Sequence, residues 1–99
     1  PIMAAGGKGV ISVTANIAPD KVAALCKACL DGNFSEARKL HYELLDLNIS
    51  MFIETSPGPV KTALSLMGKV SDEVRLPLVP MNNANLSTLK SLLKKSGLV

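Results

Sequence analysis

The stretch Gly9–Thr14, which reads GVISVT, decides the fold of this chain. Its β-branched residues favour a strand, and the glycine-rich run Gly6–Gly9 in front of it is a chain breaker. Successive side chains of a strand point to opposite faces, so Val10, Ile11 and Val13 place apolar groups on both faces. This pattern is typical of a strand that is buried on both sides in a parallel sheet.

No second run in the chain is a convincing partner for this strand. The best alternative, Leu76–Val79, is short, contains Pro77 and is followed directly by Pro80. A lone buried strand leaves backbone donors and acceptors unpaired, at a cost of about 1–3 kcal/mol for each group. We therefore expect neighbouring strands upstream of Pro1, in a longer protein.

Four helices are predicted to follow the strand. Apolar residues recur in this part of the chain in steps of three and four, which is the spacing of one helix face. The residues that start, cap or end the four helical segments are Pro19, Gly32, Asn33 with Glu36, the turn Ser56–Pro59, Gly68 and Gly97. The second segment has a long apolar seam from Ala37 to Met51, and the third is predicted over Val60–Met67. The chain by itself is therefore predicted to be mainly α.

The composition excludes several classes of protein. Hydrophobic residues make up 47% of the 99 residues, an ordinary share for a folded soluble protein, while aromatic residues make up only 3%. No apolar run approaches the ~20 residues needed to span a bilayer, so we expect no membrane contact and a cytoplasmic location. The net charge of +3 is spread along the chain. Its densest group, Lys90 with Lys94 and Lys95, lies at a predicted helix end, which favours a solvated surface over a nucleic-acid site.

Cys26 and Cys29 form the C-x-x-C pattern that redox pairs and zinc sites share. A redox pair needs one cysteine at a helix N-terminus, whereas these two lie in the middle or at the end of a predicted helix. A structural zinc site needs two further ligands, and His41 is the only histidine. We interpret the pair as two small buried hydrophobic residues, and we predict no metal site and no cofactor.

Three other motifs have a structural and a chemical interpretation. Gly6–Gly9 resembles a phosphate-binding loop, but such a loop follows a strand and opens a helix, so a tight turn before the strand is favoured. His41 lies on a predicted helix without a nucleophile aimed at it, which favours a surface or boundary histidine over a catalytic base. The stretch Glu54–Ser56 is interpreted as a helix-capping loop.

The segment from Gly6 to Asn16 resembles the eighth-strand segment of dihydrodipicolinate synthases. The resemblance extends over essentially the whole chain and is carried further by Asn33–Arg38, Phe52–Glu54, Pro57, Pro59–Lys61, Leu76–Leu78, Pro80 and Leu93–Leu98. It implies the last strand–helix unit of a (β/α)8 TIM barrel over residues 1–32. Residues 33–99 would then form the C-terminal helical extension of the barrel.

The resemblance also implies an activity for the longer protein. Dihydrodipicolinate synthases condense pyruvate with aspartate semialdehyde in lysine (diaminopimelate) biosynthesis, through a Schiff base on a lysine, and they usually assemble as tetramers. That lysine and the other catalytic side chains would lie upstream of Pro1, so we predict no catalytic residue here and an inactive isolated chain. Only Ile11 would line the pyruvate pocket, through its backbone carbonyl. The rival interpretation is a non-enzymatic helical interaction module.

Overall fold

The computed structural model describes residues 1–99 and contains helices but no strand. A short 3-10 turn at Thr14–Asn16 is followed by α1 (Pro19–Leu30), α2 (Phe34–Ser50), α3 (Gly58–Leu66) and α4 (Asn83–Lys95). The mainly α architecture predicted for the chain by itself is confirmed.

The helix boundaries lie close to the predicted residues. Pro19 is the first residue of α1, and Gly32 follows the helix with a φ of 73°, a left-handed conformation that favours glycine. Asn33 caps α2, because its side-chain oxygen accepts a hydrogen bond from the Glu36 N–H at 3.1 Å. The third helix begins two residues earlier than Val60, since Pro59 is accommodated in its first turn, where no N–H is required.

The apolar core lies where the 3-10 turn, α2, α3 and α4 meet, and α1 contributes one residue to it. Its members are aliphatic, as the scarcity of aromatic residues predicts: Ile17, Ala18, Val22, Leu44, Leu47, Met51, Val60, Ala63, Met81, Leu89 and Leu93. The first two helices pack side by side, while α3 and α4 pack on each other. Further contacts join α4 to α2 and α3 to the 3-10 turn. A single core therefore holds Ile17 and Ala18 together with the helices that follow them.

The strand predicted over Gly9–Thr14 is absent, because residues 8–12 have no regular structure and Thr14 begins the 3-10 turn. No backbone–backbone hydrogen bond involves any of these five residues. Val10 is 55% exposed and Ile11 is fully exposed, at 106%. The physical reason is that a strand requires a neighbour for its hydrogen bonds, and this chain contains no second strand.

The connection between α3 and α4 has no regular structure over most of its length, as its prolines predict. Two contacts attach this connection to the rest of the chain. The Lys61 ammonium donates to the backbone carbonyl of Glu73, and the Met81 side chain is buried in the core. Between these points Leu76 is 86% exposed.

Candidate functional site

Ile11, the one residue predicted to contribute to a pocket, lies in the unpaired segment 8–12. Neither its N–H nor its carbonyl makes a backbone hydrogen bond, and its side chain is fully exposed. Both polar groups of this peptide backbone are therefore available to a neighbouring strand or a ligand. Ile11 is the only site residue that the sequence predicts, so there is no second predicted residue to compare with its position.

Immediately after Ile11 the chain turns through a hydrogen-bonded corner formed by residues 12–18. The Ser12 Oγ accepts a hydrogen bond from the Ala15 N–H at 3.2 Å, which is the geometry of a helix N-cap. The Asn16 side-chain amide donates to the Val13 carbonyl at 2.9 Å. The backbone of Val13 is already helical, with φ −63° and ψ −43°, so the change of direction takes place at Ser12.

The far side of this corner is anchored in the core. The Thr14 carbonyl accepts hydrogen bonds from the N–H groups of Ile17 and Ala18, at 3.0 and 2.9 Å. All three residues are buried, and Ile17 and Ala18 belong to the same apolar cluster as Val60 and Ala63 of α3. The corner is consequently a rigid element between the exposed segment 8–12 and the helices.

The prediction that Cys26 and Cys29 are buried hydrophobic residues is wrong for this chain. Both are free thiols that are only half-buried, and neither belongs to the core cluster. Helix α1 buries Val22 and Ala28 alone, since it packs against α2 and the 3-10 turn while the rest of its surface stays at least partly exposed. No group of three or more His, Cys, Asp or Glu side chains is placed to hold a metal ion.

A cavity of about 380 Å³ lies between the N-terminal turn and the pair α1–α2. Its wall is mostly apolar and includes both Cys29 and His41. The His41 ring is half-buried and packs edge-to-face on Tyr42, with 5.3 Å between the ring centroids. This partial burial agrees with the surface or boundary position predicted for His41.

The tight turn predicted at Gly6–Gly9 lies earlier, over residues 2–6, so that only Gly6 belongs to it and no strand follows. Gly6 has a φ of 105°, which strongly favours glycine. A Cβ on Gly7 would lie 2.8 Å from the Ile2 side chain and 2.9 Å from its carbonyl oxygen, so only glycine fits there without a shift. No helix begins after this run, so its backbone N–H groups do not have the arrangement of a phosphate-binding loop.

Glu54 has a role that the sequence did not reveal. Its Oε1 accepts hydrogen bonds from the Asn82 N–H at 3.0 Å and from the Asn85 side-chain amide at 2.9 Å. Asn82 is itself the N-cap of α4 and accepts from the Asn85 N–H at 2.8 Å. Glu54 thus caps a helix, as its loop was expected to do, but the helix is α4 rather than the adjacent α3. The pair Asn82 and Asn85 indicates a cap at the start of α4, but nothing in the sequence near Glu54 indicates its contact with that cap.

None of the helices has the length and apolar character needed to cross a membrane. Residues 1–96 match the model of the Dihydrodipicolinate synthetase family. The chain belongs to this family. Along all 99 residues it is 59% identical to the 4-hydroxy-tetrahydrodipicolinate synthase of Citrifermentans bemidjiense, and it spans 34% of that relative.

Solved structures of the family have the same arrangement of these segments. The dihydrodipicolinate synthase of Aquifex aeolicus matches 99% of this chain with a TM-score of 0.97 and 49% identity, over 33% of its own length. The chloride-inhibited synthase of Acinetobacter baumannii, complexed with pyruvate, matches 98% of the chain with a TM-score of 0.94 and 36% identity, over 33% of its length. The fold is therefore that of the C-terminal third of a TIM-barrel protein of this family.

Proposed function

We propose that this chain is the C-terminal third of a 4-hydroxy-tetrahydrodipicolinate synthase. The whole enzyme condenses pyruvate with aspartate semialdehyde through a Schiff base, in the cytoplasm, on the route to lysine through diaminopimelate. Family membership along residues 1–96 carries the proposal. Pyruvate in the complex of the Acinetobacter relative supports the first substrate.

Segment 8–12 supports the assignment of residues 1–32 to the last strand–helix unit of a barrel. Its apolar residues alternate onto both faces, and all of its backbone groups lack partners. A strand in the wall of a TIM barrel has a neighbour on each side, which would supply those hydrogen bonds. Residues 33–99 then form the helical extension, which packs on the corner that follows the strand.

Ile11 contributes to the pocket through its carbonyl oxygen in this proposal. Active sites of TIM barrels lie at the C-terminal ends of the strands, and Ile11 lies at that end of segment 8–12, directly before the corner. A carbonyl oxygen is a hydrogen-bond acceptor, so it can orient a donor on the bound substrate or in a proton relay. No catalytic side chain is assigned within the chain.

The environment of the lysines supports an inactive isolated chain. A Schiff-base lysine is activated by desolvation or by a neighbouring cation. None of the lysines in this chain is buried. Lys21 and Lys61 are only half-buried, and they lie against the Glu43 carboxylate, at 3.9 Å, and the backbone carbonyl of Glu73, respectively.

Assembly of several copies, up to a tetramer, is part of the same proposal. Tyr42 and Ile49 are large, exposed and seven residues apart on α2, which places them on one face of the helix. Such a pair is suited to an interface between copies, because both side chains lose water on contact.

A chimaera tests the proposed function directly. The C-terminal third of the Citrifermentans bemidjiense synthase is replaced by residues 1–99 of this chain, and condensation of the two substrates is measured. We expect activity within about tenfold of the unmodified synthase, since every catalytic side chain is retained. A chimaera that folds and assembles like the synthase but does not form the product contradicts the proposal.

A further inference from the structure

We propose that Ser12 is a positioning residue, whose hydroxyl fixes the orientation of the Ile11 carbonyl. The inference rests on the proposed function, because it concerns the same pocket carbonyl. It adds a side chain to a site for which the chain otherwise supplies only backbone. Ser12 does not touch the substrate in this proposal and acts through the peptide group next to it.

The Ile11 carbonyl is linked to Ser12 covalently. The Ile11 carbonyl and the Ser12 N–H belong to one planar peptide unit, so the direction of this carbonyl changes only with the torsions of the two residues. A restraint on Ser12 is therefore a restraint on the Ile11 oxygen. The Ser12 Oγ supplies such a restraint, because it accepts a hydrogen bond from the Ala15 N–H at 3.2 Å.

No other group in the chain restrains the Ile11–Ser12 peptide from the upstream side. Within the chain, no backbone–backbone hydrogen bond involves residues 8–12, so nothing on the upstream side of Ile11 restrains it. In a barrel, hydrogen bonds to the adjacent strands would restrain the backbone N–H and C=O groups that point towards those strands. A carbonyl that faces the pocket has left the ladder of hydrogen bonds, and its direction must be set by the residues that follow it.

The corner that follows Ser12 is firmly packed. The corner that Ser12 opens continues into Thr14, Ile17 and Ala18, all of which are at least 98% buried. Ile17 and Ala18 pack in one cluster with Val60 and Ala63 of α3. The hydroxyl of Ser12 thus connects the pocket peptide to a corner that is anchored in the apolar core, whereas an alanine there would leave the peptide attached by the main chain alone.

Asn16 provides a matched control. Its side chain donates to the Val13 carbonyl at 2.9 Å, so it stabilises the same corner. The bond lies beyond Ser12 and does not involve the Ile11–Ser12 peptide. Asn16→Ala therefore removes one hydrogen bond from the corner and leaves the restraint on the Ile11 carbonyl in place.

The experiment compares Ser12→Ala, Ser12→Thr and Asn16→Ala in the active chimaera. For Ser12→Ala we expect kcat/KM for pyruvate to fall about fivefold, the effect of losing one neutral hydrogen bond, with the KM for the aldehyde unchanged. Ser12→Thr keeps the hydroxyl and should restore the value. Asn16→Ala should lower the melting temperature as much as Ser12→Ala does and leave kcat/KM for pyruvate unchanged.

The possible results separate the two proposals. Equal kcat/KM values for pyruvate in Ser12→Ala and the unsubstituted chimaera overturn the role of Ser12, as does an equal loss in Asn16→Ala. If Ser12→Ala aggregates, Ser12→Cys replaces it, since a thiol has similar size but is a weak acceptor, and the same fivefold loss is expected. A folded but inactive unsubstituted chimaera would instead contradict the proposed function, before any variant is compared.

Discussion

Glu54 and Asn85 are joined by a hydrogen bond of 2.9 Å although they are 31 residues apart in the sequence. The same carboxylate oxygen accepts from the Asn82 N–H, so one side chain connects the end of α2 to the start of α4. The position also places a negative charge at a helix N-terminus, where the helix dipole favours it. The helices of the extension are therefore held together by a polar contact between the segment after α2 and the start of α4, in addition to their apolar faces.

Removal of the Glu54 carboxylate should therefore destabilise the extension. We expect Glu54→Ala to lower the free energy of unfolding by about 1–2 kcal/mol, at the lower end for bonds to a charged group because the site is partly exposed. Glu54→Gln retains an acceptor oxygen and should lower the free energy of unfolding by less than Glu54→Ala does. Urea unfolding followed by circular dichroism measures both, with Asp72→Asn on the exposed loop as control. Equal stability of Glu54→Ala and the unsubstituted chain contradicts the role of this contact.

Two leucines test the assignment of the core. Leu89 is completely buried in α4, whereas Leu76 is 86% exposed in the loop before it. Leu89→Ala should cost about 2–5 kcal/mol, because it removes buried methyl groups and leaves a cavity. Leu76→Ala should change the free energy of unfolding by less than about 0.5 kcal/mol. The same urea experiment compares them, and similar costs for the two would mean that Leu76 is covered in solution.

The isolated chain should not form a Schiff base. Incubation with pyruvate and borohydride, followed by mass spectrometry, is expected to show no stoichiometric adduct, because no lysine of the chain is desolvated. The complete Citrifermentans bemidjiense synthase serves as the positive control. A specific adduct on one lysine of the chain would refute the assignment of the catalytic lysine to the part of the enzyme before residue 1.

The two cysteines should contribute little to stability. Because Cys26 and Cys29 are only half-buried, their joint replacement by alanine is expected to cost about 1 kcal/mol or less, below the loss for a fully buried pair. No third ligand lies near them, so zinc should not raise the melting temperature. Zinc stabilisation that disappears in the double variant would contradict this expectation.

The sequence predicted the features that depend on a few neighbouring residues. Pro19, Gly32 and the pair Asn33–Glu36 set helix boundaries through their own backbone preferences and caps, which act within one turn. The prediction that no other part of the chain pairs with GVISVT is confirmed, since the structure contains no strand. The Ser12–Ala15 cap is also local, and the serine three residues before Ala15 could have revealed it.

Features that depend on distant parts of the chain were not predicted. The burial of Cys26 and Cys29 is decided by what covers the outer face of α1, and a helical pattern does not contain that information. The Glu54–Asn85 contact is equally invisible, because it depends on the path of the whole α3 region. The pocket role of Ile11 is proposed from resemblance to a family, since an exposed backbone carbonyl leaves no chemical signature in the sequence.

The unpaired segment 8–12 should make the isolated chain associate. Its free backbone groups and exposed Val10 and Ile11 form an edge on which a second copy can pair. Light scattering of the chain should detect oligomers, and Ile11→Lys should shift them towards monomer, because a charge on such an edge opposes pairing.

The matched control is Ile49→Lys, which places the same charge on an isoleucine that is 64% exposed on α2. If only Ile49→Lys produces monomers, association takes place through α2 instead. A monomeric chain with slow amide exchange at Val10, Ile11 and Val13 would mean that the segment finds a partner within its own chain.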